Sequence, residues 1–239
     1  MSPFVSIDEL ANMVVQLREP AFGSDKSGTG MLVVHKDRPF VLTAKHVASS
    51  ITANGSIVLK GAGDIPIVVP TRKLTTSPAL DWQYHHEADL AALELRPQDQ
   101  QTGDLLSKRF LPLNFFSQKK SAPSRDVLLT SIGFPLGLGT EGFFSPLTFE
   151  SKASSGLLTL PRADTRTFQT FFVLANPSVG GYSGCPVIDT SIVRVGSMTT
   201  AGDGTCVYGV MHGTISDVTG GKLALVTPSF YVHELLANL

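Results

Sequence analysis

Pro177-Ser178-Val179-Gly180-Gly181-Tyr182-Ser183-Gly184-Cys185-Pro186-Val187 is the stretch on which the reading of this chain turns. A serine stands between glycines, after a run with neither helical nor strand periodicity and before the apolar Val187-Ile188. Such a run reads as a tight turn leading into a strand. A hydroxyl on such a turn is held away from the backbone, and its small neighbours let a carbonyl approach both Ser183 Oγ and nearby backbone N–H groups. Those are the needs of a nucleophile with an oxyanion hole. Taken alone the pattern also fits an ordinary turn, because G-x-S-G occurs in many loops.

Partners elsewhere in the chain decide between the two. Thr43-Ala44-Lys45-His46-Val47 follows the apolar runs 31–34 and 40–42, so His46 falls just past the end of a strand. Ala88-Asp89-Leu90-Ala91-Ala92-Leu93-Glu94-Leu95 puts Asp89 at the start of another. A neutral serine is a poor nucleophile and needs a histidine base. That imidazole in turn needs a carboxylate to fix its tautomer and stabilise its cation. An acid beside an apolar run also wants a buried partner, which His46 supplies.

Gly28-Thr29-Gly30, TAKHV (43–47), ADLAALEL (88–95), IGFP (132–135), GYSGCPV (181–187) and YGVMHG (208–213) stand in the order found in trypsin/chymotrypsin-like serine peptidases. The chain resembles that family over about residues 20–235, most closely its short bacterial-type branch of HtrA-like protease domains, without a PDZ domain. The resemblance implies an all-β fold of two antiparallel six-stranded β-barrels with short N- and C-terminal helices. It also implies Ser183 as nucleophile, His46 as general base and acid, Asp89 as orienting carboxylate, and the Gly181 and Ser183 N–H groups as oxyanion hole. The function expected is a serine endopeptidase acting on a protein or peptide, with no cofactor and no metal. The alternative is a latent or non-catalytic binding module on the same fold.

Two departures from the digestive members are informative. Tyr182 stands where those enzymes carry the aspartate that pairs with a freshly cut amino terminus, so no such ion pair is expected. Pro177 stands where trypsin-like enzymes place the acid that receives a basic P1 residue, and a buried cation without a partner is costly. Relatives that prefer Glu or Gln use a hydroxyl, which Ser178 matches, and a strand histidine. His212 comes one residue late for that role, which turns its side chain to the other face unless a bulge intervenes. In the simpler register Met211 and Thr214 line the pocket and His212 lies behind Asp89. The S1 candidates are therefore Pro177, Ser178, Met211, His212, Gly213 and Thr214, around an uncharged, small to medium aliphatic P1.

Along the 239 residues, Ser6-Ile7-Asp8-Glu9 fits a capping box, with Leu10, Met13, Val14 and Leu17 at helical spacing. This predicts a helix over about 6–17, within an N-terminal extension of residues 1–19. Short apolar runs at 30–35, 39–44, 56–60, 66–70 and 89–95 then predict a first barrel over 20–115 carrying His46 and Asp89. Alternation is lost over 112–126, and the connection is placed at 116–126. Runs at 127–133, 148–159, 167–174, 185–190, 205–211 and 222–227 predict a second barrel within 127–239 that carries Ser183, and Ser229 caps a closing helix.

Composition narrows the partners. Hydrophobic residues make up 42% and charged ones 16%, and the net charge is -1, which gives no reason to expect nucleic acid or an anionic membrane. The beginning of the chain is acidic and lacks an apolar core segment, no run is long enough to span a bilayer, and the cysteines are two, so the expected location is cytoplasmic. Cys185 and Cys206 fall on neighbouring strands and read as reduced core thiols, with a bridge left open. His85-His86-Glu87 does not read as a metal site, because adjacent residues on an extended chain point to opposite sides. Residues 23–28 lack G-K-[ST] and are no P-loop.

Overall fold

The computed structural model describes residues 4–239 apart from 23–24, 78–79, 163–164, 196–197, 202–203, 217 and 221, and only the backbone of 192–195 and 198–201. Helix α1 (Ile7–Ala11) opens with the expected capping box, Ser6 and Glu9 each satisfying the other's backbone N–H. It is shorter than the 6–17 that the apolar spacing predicts. Val14 and Val15, β-branched and better suited to a strand, lie instead in β1 (Val14–Glu19). Pairing with β2 (Lys26–His35) runs from Val14↔Met31 to Glu19↔Lys26 and overrides the local helical pattern.

The first sheet is completed by β3 (Arg38–Thr43), β4 (Ser56–Lys60), β5 (Pro66–Pro70), β6 (Gln83–Tyr84), β7 (Ala91–Glu94) and β8 (Leu111–Pro112). Its order is β5-β4-β1-β2-β3-β7-β6, with β8 parallel on β2. Helix α2 (Lys45–Ala48) follows β3 directly, and α3 (Gln100–Leu106) precedes β8. The second sheet holds β9 (Leu129–Gly133), β10 (Leu147–Ser151), β11 (Leu158–Pro161), β12 (Phe168–Leu174), β13 (Pro186–Asp189), β16 (Cys206–Ser216) and β17 (Lys222–Pro228) in the order β10-β9-β13-β16-β17-β12-β11. A separate hairpin, β14 (Ile192–Val195) with β15 (Met198–Ala201), lies between β13 and β16 in the chain.

The fold is thus the expected double-β arrangement, but two six-stranded closed barrels are replaced by open sheets of eight and seven strands. The edges explain why. Strand β5 begins and ends in proline, which cannot donate to a ladder, and β6 offers two residues. Among the described residues, the second sheet moves toward closure by the isolated bridge Ala153↔Leu174, and its edge strand β11 ends at Pro161. The single run expected at 148–159 divides into β10 and β11 around Ser154-Ser155-Gly156.

Alternation along the first-sheet strands feeds two separate cores. Val15, Leu17, Leu32, Val41, Ala91 and Leu93 point into the first lobe. Val14, Met31, Val33, Phe40, Leu42 and Ala92 point the other way, into one cluster shared with Ile132, Phe134, Ile188, Val207 and Val210 of the second sheet. Helix α4 (Phe230–Ala237) seals that cluster with Phe230, Tyr231, Val232, Leu235 and Leu236. Ser229 does not cap α4 with its side chain as expected; its hydroxyl donates to Ser117 O at 2.7 Å. The lobes therefore meet across a continuous apolar seam rather than a flexible hinge.

Cys185 and Cys206 are both free. Cys206 lies opposite Asp189, whereas Cys185 lies at the other end of β13, its carbonyl accepting from Met211 N at 2.8 Å. About five residues at roughly 3.4 Å each separate them along the ladder, well beyond disulfide reach. Among the described residues, no helix is long and apolar enough to cross a membrane.

Candidate active site

His46 is set by the end of β3. Ala44 is extended and begins the single helical turn of α2, which turns His46 back over the strand end. Asp89 is fixed by a small loop organised by His85, whose Nδ1 accepts from Glu87 N at 3.1 Å and Ala88 N at 2.9 Å. The two residues then meet. Asp89, fully buried, takes the His46 backbone N–H on Oδ1 at 3.0 Å and faces His46 Nδ1 with Oδ2 at 2.7 Å.

Two further side chains converge on the same carboxylate. His212 Nδ1 lies 2.5 Å from Asp89 Oδ2, and Arg162 Nη2 donates to Oδ1 at 2.8 Å. The Asp89 amide donates to Gln169 Oε1 at 2.7 Å, and Gln169 Nε2 donates to Thr227 Oγ1 at 3.0 Å. Burial works against the charged form of Asp89, but hydrogen bonds from His212 and His46 outweigh it and hold the carboxyl well below the usual carboxylate range. An ionised carboxylate only accepts, so both Nδ1 atoms carry hydrogen. In neutral His46 that leaves Nε2 with its lone pair, on a side chain 30% exposed.

The serine turn is docked on the same strand ends. Thr29 N donates to Ser183 O at 2.9 Å, and Thr29 Oγ1 donates to Gly181 O at 2.8 Å while accepting from Phe134 N at 3.1 Å. Thr43 Oγ1 donates to Thr29 O at 2.7 Å. Gly184 has φ of +87°, and a Cβ there would sit 2.1 Å from Thr29 O and 2.2 Å from Thr43 Oγ1. The turn is therefore pressed against Thr43, three residues before His46. The Ser183 hydroxyl, however, donates to the main-chain O of His212 at 3.0 Å. The structure brings His46 and Asp89 together and gives Ser183 Oγ that carbonyl as its acceptor.

Gly181 has φ of +95°, and a Cβ would meet Phe134 O at 2.3 Å, so the position admits glycine alone. Gly180 O accepts from Leu136 N at 2.7 Å, which turns the trans-peptide N–H of Gly181 the opposite way. Among the described residues neither the Gly181 nor the Ser183 N–H has an acceptor. Tyr182 is buried, its hydroxyl 3.3 Å from Leu147 O. The amino terminus falls outside the described residues, and Val5 N is held by Thr205 Oγ1 at 2.9 Å.

Of the S1 candidates, Pro177, Ser178 and Met211 line a cavity of about 30 Å³ together with Phe149, Val179 and Tyr182. Thr214 Oγ1 donates to Ser178 O at 2.9 Å, and a Cβ on Gly213 would come within 3.6 Å of Ser183 Oγ. His212 parts from this group. A bulge does interrupt the β16–β17 ladder between Met211 and Gly213, yet it delivers the ring to Asp89 instead of the cavity. The His212 ring lies against Asp89 and is not among the residues lining this cavity.

His46, Asp89 and His212 have ligand atoms within 4.8 Å of one another, close enough to hold a metal ion. The chemistry does not suit one, because the Arg162 cation shares the carboxylate and both Nδ1 atoms are engaged as donors. At His85, Nδ1 is likewise engaged by two backbone amides, and the ring packs against Tyr231 with centroids 5.1 Å apart.

Arg162, Gln169 and the full role of Thr29 are not among the residues read from sequence. A lone arginine in a loop gives no signal. Gln169 does give one, as a polar residue at a fully inward position of the apolar run Phe168-Gln169-Thr170-Phe171-Phe172.

The trypsin-like peptidase domain profile matches residues 28–196 of the chain. No curated protein sequence matches it. Among solved structures, a serine endoprotease from Yersinia pestis is similar at TM-score 0.56 and 14% identity, covering 97% of this chain and 64% of the other. The HtrA-type protease AlgW with a tripeptide is similar at TM-score 0.58 and 16% identity, covering 97% of this chain and 61% of the other. Tobacco etch virus protease complexed with product is similar at TM-score 0.51 and 16% identity, covering 100% of this chain and 82% of the other. This chain thus spans less than two thirds of the Yersinia pestis and AlgW structures, and at these identities the likeness is one of fold. Since the family profile covers most of the sequence, including the His46 and Ser183 segments, the chain belongs to the trypsin-like peptidase domain family.

Proposed function

We propose that the chain is a serine endopeptidase working through an acyl-enzyme, with Ser183 as nucleophile, His46 as general base and acid, and Asp89 as the orienting carboxylate. The observation that carries this is the Asp89–His46 pair: a fully buried carboxylate on Nδ1 at 2.7 Å, which leaves Nε2 to act as the base on a side chain 30% exposed. Ser183 Oγ attacks the scissile carbonyl carbon as its proton passes to His46 Nε2, and His46 returns that proton to the leaving amine. Water then repeats the sequence on the ester and restores the serine. The unengaged Gly181 and Ser183 N–H groups receive the oxyanion.

The cavity supports a small, uncharged P1 side chain. Its volume of about 30 Å³ and its lining by Met211, Tyr182, Val179 and Pro177 offer room for little more than a methyl group and no counter-charge. The substrate proposed is a restricted protein or peptide cut after such a residue.

A second reading, a latent peptidase, is favoured by the Ser183 hydroxyl resting on His212 O. The hydroxyl must leave that carbonyl before His46 can take its proton. Reaction with a fluorophosphonate probe separates the readings. Labelling at Ser183 that is lost in Ser183→Ala supports the peptidase, with turnover of the variant reduced by about 10⁴ to 10⁶-fold. A folded protein that takes no label supports latency. Near-full turnover by Ser183→Ala refutes the nucleophile.

A further inference from the structure

We propose that Arg162 is a positioning residue for the acid–base pair, and that its charge sets how strongly Asp89 supports a proton on His46. This rests on His46 and Asp89 acting as base and orienting acid.

Arg162 is 4% exposed and comes from the second sheet, whereas Asp89 and His46 come from the first. It stands just past β11, where Arg162 N donates to Thr167 O at 2.8 Å and closes the β11–β12 hairpin. Arg166 N in turn donates to Arg162 O at 3.2 Å. The same hairpin carries Gln169, which accepts the Asp89 amide. One hairpin thus holds the acid at two points, its carboxylate by Arg162 and its backbone by Gln169. Because Gln169 is itself tied to Thr227 on β17, the grip is anchored in the second sheet.

The electrostatic consequence follows from charge counting. An unaccompanied Asp89 anion would favour the cationic form of His46. A guanidinium 2.8 Å from Oδ1 cancels part of that field and opposes a second positive charge nearby. Among the described residues, the charged and titratable groups facing Asp89 are His46 from α2, His212 from β16 and Arg162 from the hairpin; Gln169 from β12 is neutral. Of these, Arg162 is the permanent cation. It therefore keeps His46 available as a base at lower pH than the Asp89–His46 pair alone would allow. The same cation lessens the help Asp89 gives to the imidazolium formed during catalysis, so Arg162 trades rate for a wider working pH range.

The test compares Arg162→Gln and Arg162→Met, which remove the charge, with Arg162→Lys, which keeps it. His46 ring protonation is followed by histidine NMR from pH 4 to 9, a readout independent of turnover, alongside the pH profile of ester hydrolysis. Both neutral variants are expected to move the His46 midpoint and the acid limb of kcat/KM to higher pH by about one unit. Arg162→Lys should leave them in place. Unchanged midpoints in folded neutral variants overturn the proposal. So does failure of both neutral variants to fold while Arg162→Lys folds with an unaltered profile, since Arg162 would then be a structural residue. A wild type that neither turns over nor takes a fluorophosphonate supports the latent reading over the active peptidase, and the NMR midpoints still judge Arg162.

Discussion

Thr29→Val changes one buried hydroxyl to a methyl of nearly the same shape, so it isolates the hydrogen bonds by which the first sheet holds the serine turn. The Thr29 hydroxyl bridges Gly181 O at 2.8 Å and Phe134 N at 3.1 Å. Valine leaves the Phe134 N–H unpaired at a fully buried residue, which costs about 1–3 kcal/mol, and removes a bond to the partly exposed Gly181 O worth about 0.5–1 kcal/mol. The sum, about 1.5–4 kcal/mol, corresponds to a fall in melting temperature of roughly 3–16 °C for a chain of this size. Thr29→Ser keeps the hydroxyl and loses one methyl, worth about 0.8 kcal/mol. The assay is thermal melting of both variants by circular dichroism, with fluorophosphonate labelling rates measured well below the transition. Labelling of Thr29→Val should slow more than that of Thr29→Ser, because the lost bonds flank the Gly181 amide. If Thr29→Val melts within 1 °C of the parent, or Thr29→Ser loses more than Thr29→Val, the hydroxyl is not what holds the turn.

Gly184→Ala is expected to cost about 3 kcal/mol or more, from strain at φ of +87° plus collision with Thr29 O at 2.1 Å, and to abolish labelling of Ser183. Gly142→Ala is its control: φ is +80° but no atom lies within 4 Å of the added Cβ, so about 1–2 kcal/mol should be lost and labelling kept. Equal losses at the two positions in urea titrations would refute the steric argument. Glu94 grips Arg38 through two bonds, at 3.0 and 2.5 Å, and the Arg38 hydrogen bond lowers its carboxyl to about 2. A carboxyl depressed on folding stabilises above its unfolded value and loses that contribution as pH falls toward the folded one. The stability gap between parent and Glu94→Gln in urea should therefore be present at pH 7 and shrink between about pH 4.5 and 2. A gap that widens on acidification would reverse the sign of the argument.

What the sequence displays and what it hides follow from the range of the forces involved. Strand positions are legible because alternation is local: the runs expected at 56–60 and 66–70 coincide with β4 and β5. The N-terminal helix is over-read because Leu10, Met13, Val14 and Leu17 satisfy a helical period, while pairing of β1 with β2 and β4, which local spacing cannot show, claims Val14 onward. Barrel closure is not legible either, since it depends on whether the edges β5, β6, β10 and β11 find one another. At the site, the proximity of His46 and Asp89 follows from the pairing of β3 with β7, whose ends carry them: Thr43↔Ala91 is the last rung, three residues from His46 and two from Asp89. Arg162 has no such rung. Its approach to Asp89 depends on how the second sheet seats on the first.

That seating is also why His212 stands at a bulge. Met211 pairs with Val226 and Gly213 with Leu225, so His212 is the extra residue on β16, free of the ladder's alternation. Its ring turns to Asp89 and its carbonyl accepts the Ser183 hydroxyl's hydrogen bond, so a single bulged residue touches both Asp89 and Ser183. A regular β16 would also send the side chains of Met211 and residue 212 to opposite faces; what the bulge changes is the register of the strand from Gly213 onward. Deleting His212 to restore the ladder should therefore leave the β16–β17 pairing intact while removing the serine's resting acceptor and one of the four side chains and amides that hold Asp89 ionised. The contacts between Ser183, His212 and Asp89 thus come together at an irregularity in the ladder, where the bulged residue satisfies buried polar groups from both lobes.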